Sequence, residues 1–194
     1  YYGGSSKRSI KNVELKNNRK NTWGTGLIFN HEIDSIQNVT VAAGFTRQIS
    51  ENANKTAYYS NAYALGLAYN FVHTTYGLDF AHKDTKNKGG AGNKVKNNEV
   101  TAVIRQGLNE DWNVYAMYSY KTEKTLPVGS AYSKSTDRQF LVGTEYYVFK
   151  QGSVKVKPFI EWQATRTKYE NTFDKDSGKQ LDRSRDFKTV IGLR

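Results

Sequence analysis

The stretch from Asn98 to Tyr120 reads NEVTAVIRQGLNEDWNVYAMYSY, and its alternation decides the fold. Val100, Ala102, Ile104 and Leu108 share one parity while Glu99, Thr101, Val103 and Arg105 share the other, which is the two-residue period of a β-strand. Asn109, Glu110 and Asp111 form a tight polar turn. The alternation then restarts with Trp112, Val114, Ala116, Tyr118 and Tyr120 against Asn113, Met117, Ser119 and Lys121. Small aliphatic residues bracketed by Trp and Tyr suit a strand that crosses a lipid layer and meets an interface at each end. Ser119, on the polar parity, reads as a position that tolerates Arg.

Composition narrows the classes. The 194 residues include no Cys, 2 Pro, 16 Gly, 14 Tyr and 9 Phe, and the mean hydropathy is −0.75. No run approaches the ~18 apolar residues of a membrane helix, so helical spanning is excluded. A soluble β protein and a β-barrel remain, because alternation hides the lipid face of a barrel from any hydropathy average. The lack of Cys suits an oxidising compartment without requiring one. With neither an initiator Met nor a signal peptide, the sequence reads as a mature chain or a fragment.

Taken in order, residues 1–20 form a polar, basic loop and strands occupy 21–194 of a single domain. One face after another can be read: Trp23, Leu27 and Phe29; Val39, Val41, Ala43 and Phe45; Tyr63, Leu65, Leu67 and Tyr69; Tyr76, Leu78 and Phe80. The hairpin quoted above follows. Phe140, Val142, Thr144, Tyr146 and Val148 come next, then Val154, Val156, Pro158, Ile160 and Trp162, and finally Phe187, Thr189, Ile191 and Leu193. Pro158 is a misfit, since an interior strand residue should donate to the ladder; a bulge there and a wrongly drawn strand are both open. The connections alternate in length. Short ones fall near 31–36, 70–74, 109–111 and 150–152, long ones near 47–56, 83–97, 121–136 and 167–184, as in barrels with short periplasmic turns and long external loops. Trp23, Phe45, Tyr63, Phe80, Tyr120, Phe140, Trp162 and Phe187 lie at the loop ends, and Phe29, Tyr69, Tyr76, Trp112 and Tyr146 at the turn ends. Two aromatic girdles result. The fold class is therefore all-β, an antiparallel transmembrane β-barrel with about nine strands present, an odd count that implies further strands before Tyr1.

The ending Phe187-Lys188-Thr189-Val190-Ile191-Gly192-Leu193-Arg194, with Tyr69-Asn70-Phe71 and Glu145-Tyr146-Tyr147-Val148-Phe149, resembles the C-terminal half of a general Gram-negative outer-membrane porin. The family's closing aromatic has no counterpart, because the sequence stops at Arg194. The resemblance implies a homotrimeric barrel of about 16 strands, of which this chain spans roughly strands 8 to 16. It also implies passive diffusion of small hydrophilic solutes and ions across the outer membrane, multi-pass insertion, and contact with outer-membrane lipid and lipopolysaccharide.

The net charge of +11 raises nucleic acid as a partner, so the placement of the charge decides. The excess sits in loops, at Lys7, Arg8, Lys11, Lys16, Arg19 and Lys20, and again at Lys83, Lys86, Lys88, Lys94 and Lys96. No strand face interleaves Lys or Arg with aromatics, so no nucleic-acid partner is expected. His31, His73 and His82 lack metal-ligand spacing, and Gly89-Gly90-Ala91-Gly92 has no following helix to make a phosphate loop. No catalytic constellation, metal or cofactor is expected, and the chain does not read as an enzyme. Opposite the apolar parity stand Asp79, Glu99, Arg105, Glu145, Lys155, Lys157, Glu161, Asp186, Lys188 and Arg194, with Tyr115, Tyr147 and Phe159 among them. Charges of both signs on one wall suit a watery lumen, and Asp79, Glu99, Arg105, Glu145, Lys155, Lys157, Glu161 and Lys188 are the candidate pore-lining residues. A substrate-selective channel is the alternative, followed by a barrel enzyme and a soluble basic β-domain binding polyanions.

Overall fold

Pairing follows the alternation. The computed structural model describes residues 2–3, 9–10, 13–14, 17–52, 57–87, 94–127, 132–151, 154–173 and 179–193. Three short pieces open the chain: β1 (Tyr2–Gly3), β2 (Ser9–Ile10) and β3 (Val13–Glu14). Seven long strands follow, β4 (Asn17–Asp34), β5 (Gln37–Asn52), β6 (Ala57–Phe71), β7 (Thr74–Asn87), β8 (Lys94–Gly107), β9 (Trp112–Leu126) and β10 (Ser133–Tyr146). A small hairpin of β11 (Phe149–Gln151) and β12 (Val154–Val156) precedes β13 (Pro158–Glu170) and β14 (Arg183–Leu193). One antiparallel sheet runs in the order β1-β4-β5-β6-β7-β8-β9-β10-β13-β14, and β11 pairs only with β12, β2 only with β3. Each long strand thus lies beside its neighbour in sequence, as consecutive hairpins dictate. The sheet does not close on itself.

The expected loops are shorter than read from sequence. The loop assigned to 1–20 gives way to β1, β2, β3 and the start of β4 at Asn17, and the long connections shrink because strands run into them. β5 reaches Asn52, β7 reaches Asn87, β9 reaches Leu126 and β13 reaches Glu170. Polar Thr, Lys, Asn and Ser residues there carry no apolar contrast, yet their backbone groups pair as readily as any others. Turns at one end of the sheet stay tight, Ser35–Ile36 and Val72–His73 among them. Lys88, Gly89-Gly90-Ala91-Gly92 and Arg194 lie outside the described residues.

Register divides the sheet into two faces. On one, Phe29↔Val41, Leu65↔Phe80, Leu78↔Ala102, Ile104↔Ala116, Ala116↔Val142 and Ile160↔Ile191 continue an apolar band from β4 to β14. Along one border of the band the ring of Trp23 meets Phe45 at 5.1 Å, Phe45 meets Tyr63 at 4.9 Å, and Trp162 stacks on Phe187 at 6.1 Å. At the other border Tyr69 stacks on Tyr76 at 6.2 Å, and Trp112 pairs with Tyr146. Among the described residues no apolar side chain is buried, and Leu27 at 78%, Ile191 at 76% and Leu193 at 72% stand nearly bare. The sheet has no core of its own.

Two local irregularities have clear causes. β10 and β13 pair through Glu145↔Phe159, whereas β11 and β12 pair through Phe149↔Val156. Three residues, Tyr146 to Val148, therefore oppose two, Lys157 and Pro158. That is a β-bulge beside Pro158, whose missing N–H could not complete the ladder, and it also splits the strand read over Val154 to Trp162 into β12 and β13, so that strand is too long as read. Val72, in the turn between β6 and β7, has φ 53°, a left-handed conformation costly for a β-branched residue. Its side chain is 53% exposed, so little packing compensates. Val72→Asn is expected to stabilise the fold by about 1 kcal/mol, read as a higher denaturant midpoint; an unchanged or lower midpoint would contradict the strain.

Candidate functional site

The face opposite the apolar band carries nearly all the polar residues singled out by parity. Register places Asp79 across from Thr101 and Gly66, Glu99 across from Lys121 and Ala81, and Arg105 across from Tyr115. It continues through Tyr115↔Gly143, Gly143↔Glu161 and Gln163↔Lys188. Small side chains at Gly44, Ala62, Ala64 and Ala81 leave a depression of about 420 Å³ rimmed by Glu99 and Lys121. Glu99 accepts from Ser119 Oγ at 3.2 Å, and Asp79 is exposed. Lys188 is 61% exposed and pairs with Asp186 at 3.2 Å.

At the turn end two strands, β8 and β10, and the bulge at Lys157 bring charges together. Glu145 is 4% exposed; Arg105 donates to its Oε1 and Lys157 to its Oε2, the latter at 3.0 Å. A carboxylate this deep holds its charge only beside counter-charges, and here β8 and the bulge supply them. Tyr147 lies under two cations, Lys150 at 4.3 Å and Lys157 at 5.1 Å from the ring centre. Lys150 also reaches Asp111 at 2.7 Å, tying the β11–β12 hairpin to the turn between β8 and β9. Nearby, Tyr115 lies flat across Gly143 and donates to Glu161 Oε1 at 2.6 Å. A Cβ on Gly143 would stand 2.6 Å from the Tyr115 ring, so only glycine admits the crossing.

The structure thus joins Arg105, Glu145 and Lys157 in one ion triad and Glu161 to Tyr115, while Asp79, Glu99 and Lys188 stand apart along the same face. Lys155 pairs with Lys150 inside the small hairpin, beyond the bulge and away from the triad. Ser119 is not the permissive position that parity suggested. At 6% exposure and donating to Glu99, it has no room for Arg.

Sequence reading also passed over a group on the opposite, apolar face. Beyond Phe140, Trp162 and Phe187 the same parity continues into Arg138, Arg166 and Arg185, which register lines up as Arg138↔Arg166↔Arg185. Two residues further on, and on the same face, Lys168 opposes Arg183. The parity was the available signal, hidden because these residues fell within or beside expected loops. Among the described residues no group of three His, Cys, Asp or Glu side chains is arranged to hold a metal ion. Compared with protein-family models, curated proteins and solved structures, the chain matches none.

Proposed function

We propose that this sheet is part of the wall of an outer-membrane β-barrel that passes small hydrophilic solutes and ions by diffusion. The observation that carries the reading is the apolar band without a core: it spans every long strand, is bordered by aromatics, and is left uncovered by the chain itself. Water is a poor cover for such a band, whereas a lipid layer flanked by Trp and Tyr at its interfaces suits it. The opposite face, with Asp79, Glu99, Glu161 and Lys188 among small residues, suits a hydrated lumen. The wall continues beyond β14 and along the length of β4 that β1 leaves unpaired, since backbone groups in lipid must all be paired.

On this reading the tight turns point to the periplasm and the opposite ends of the strands to the outside. Single cysteines at Ser133, Glu110 and Gln151 test it in intact cells with a membrane-impermeant thiol reagent. Labelling is expected at position 133 alone. Labelling at 110 with none at 133 would invert the topology, and equal labelling of all three in cells with a sealed outer membrane would contradict spanning.

Channel selectivity should follow the exposed charges rather than the paired ones. Lys157, 19% exposed and bound to Glu145, has its field largely compensated, whereas Asp79 is exposed. Asp79→Asn is expected to move the reversal potential across a salt gradient toward anion preference by several millivolts, most at low salt. Lys157→Met is expected to move it less. A larger shift from Lys157→Met would mean that the triad faces the permeating ion.

A further inference from the structure

We propose that His82, Asp84 and Asn61 form a binding site for a divalent cation of the zinc type, on the apolar face of β6 and β7 just beyond its aromatic border. The site does not rest on the membrane reading, because it depends only on side chains of neighbouring strands. His82 and Asp84 are two residues apart on β7 and so share a face, and register sets Asn61 of β6 directly across from Asp84. The ring of Tyr63, which lies 6.2 Å from that of His82, flanks the group on its apolar side. Spacing along the chain hides this set, since its third member comes from another strand. With only two His, Cys, Asp or Glu side chains, it depends on the Asn61 amide for its third ligand.

The geometry suits a metal better than a proton. His82 Nδ1 lies 2.6 Å from Asn98 Oδ1, and Asn98 turns its amide nitrogen to Thr122 Oγ1 at 3.4 Å. An amide oxygen can only accept, so Nδ1 carries the proton and donates it, as the outer nitrogen of a metal-bound imidazole does. Nε2 keeps its lone pair and stands 3.5 Å from Asp84 Oδ2. A proton on Nε2 would draw it to about 2.8 Å from the carboxylate. Two ligands of a tetrahedral Zn²⁺, each bonded at about 2.1 Å, stand about 3.4 Å apart; those of an octahedral Mg²⁺ stand about 3.0 Å apart. The oxygens agree. Asp84 Oδ1 and Asn61 Oδ1 are both sealed from solvent, and among the described residues neither has a hydrogen-bond partner. Buried acceptors of this kind call for a partner. Lys94 does not fill that place, at 3.8 Å from the other oxygen of Asp84, and Arg47, across from Asn61, lies instead over the Tyr59 ring at 5.0 Å. One imidazole nitrogen, one carboxylate and one amide oxygen make three ligands for Zn²⁺, with water as the fourth. An Asn61 amide rotated to donate to Asp84 would satisfy the same two residues, and the test separates that arrangement from ligation.

The test uses the untagged full-length protein in dodecyl maltoside micelles, freed of metal by a chelator and titrated with Zn²⁺ in competition with a chromophoric zinc chelator. One Zn²⁺ per chain is expected, and Mg²⁺ in large excess should not displace it. His82→Ala should weaken binding about tenfold or more, with His82→Gln in its place if the alanine variant does not fold. His31→Ala and His73→Ala, at the turn end of the sheet, should leave binding unchanged. Asn61→Leu should also weaken it about tenfold, whereas an Asn61 that only donated to Asp84 would give unchanged or tighter binding on its removal. Lys94→Met should tighten binding, because Lys94 competes for Asp84. Co²⁺ in place of Zn²⁺ should show the intense visible absorption of a tetrahedral ion. No Zn²⁺ held by the wild type, binding indifferent to His82 or Asn61, displacement by Mg²⁺, equal losses in the His31 and His82 variants, or the weak spectrum of octahedral Co²⁺ would each overturn the site.

Discussion

Arg105→Met combined with Lys157→Met is expected to cost the fold about 3 kcal/mol, at the lower end for breaking a buried ion pair because Arg105 is 43% exposed and part of its charge is already screened by water. Glu145, at 4% exposure, would lose both of the cations that hold it and would have to stay ionised in a poor environment or take up a proton. Each single variant leaves one cation in place, so each should cost less than half of the double change. Adding Glu145→Gln to the double variant should restore part of the loss. The check is equilibrium unfolding in urea of the protein folded into phosphatidylcholine vesicles, with all four variants compared. A double variant as stable as wild type would mean that the triad is ornamental. A triple variant less stable than the double would mean that Glu145 serves through something other than charge.

Arg introduced on the apolar band is expected to cost as much by a different mechanism. Val142→Arg and Ala116→Arg place a guanidinium near the middle of the band, where lipid would surround it, and the expected loss is about 2–4 kcal/mol for each. Gln163→Arg, on the opposite face of β13, should stay within about 0.5 kcal/mol because it meets water. The two classes separate only if the faces meet different media. Equal losses for Val142→Arg and Gln163→Arg, in the same vesicles, would show that the band is covered by something other than lipid.

How much of this could be read from the chain depends on which interactions are local. The two-residue period and the polar turn at Asn109, Glu110 and Asp111 are properties of neighbours in sequence, so the β8–β9 hairpin and the two faces are legible from residues 98–120 alone. The aromatic borders are legible for the same reason, since Trp23, Phe45 and Tyr63 recur at fixed offsets from their turns. Strand ends beyond the aromatics are not. Thr122, Lys124, Lys134 and Thr136 pair as strand residues without any apolar contrast to announce it. The triad was out of reach because Arg105, Glu145 and Lys157 come from separated parts of the chain, and nothing in sequence sets Glu145 apart from the exposed Asp79. Lys155 has the right parity, but the bulge beside Pro158 sets it in a separate hairpin. Register also reveals the arginine row, since only the pairing of β10 with β13 and β14 makes Arg138, Arg166 and Arg185 neighbours.

The central claim is that one face of this sheet meets lipid and the other meets water that conducts. The most direct measurement is the current through a planar phosphatidylcholine bilayer exposed to the full-length protein. Discrete conductance steps are expected, roughly proportional to bulk salt conductivity as for a water-filled pore, with a selectivity that shifts on Asp79→Asn. Protein that inserts into the bilayer, as judged by protection from protease, yet passes no current would contradict the account.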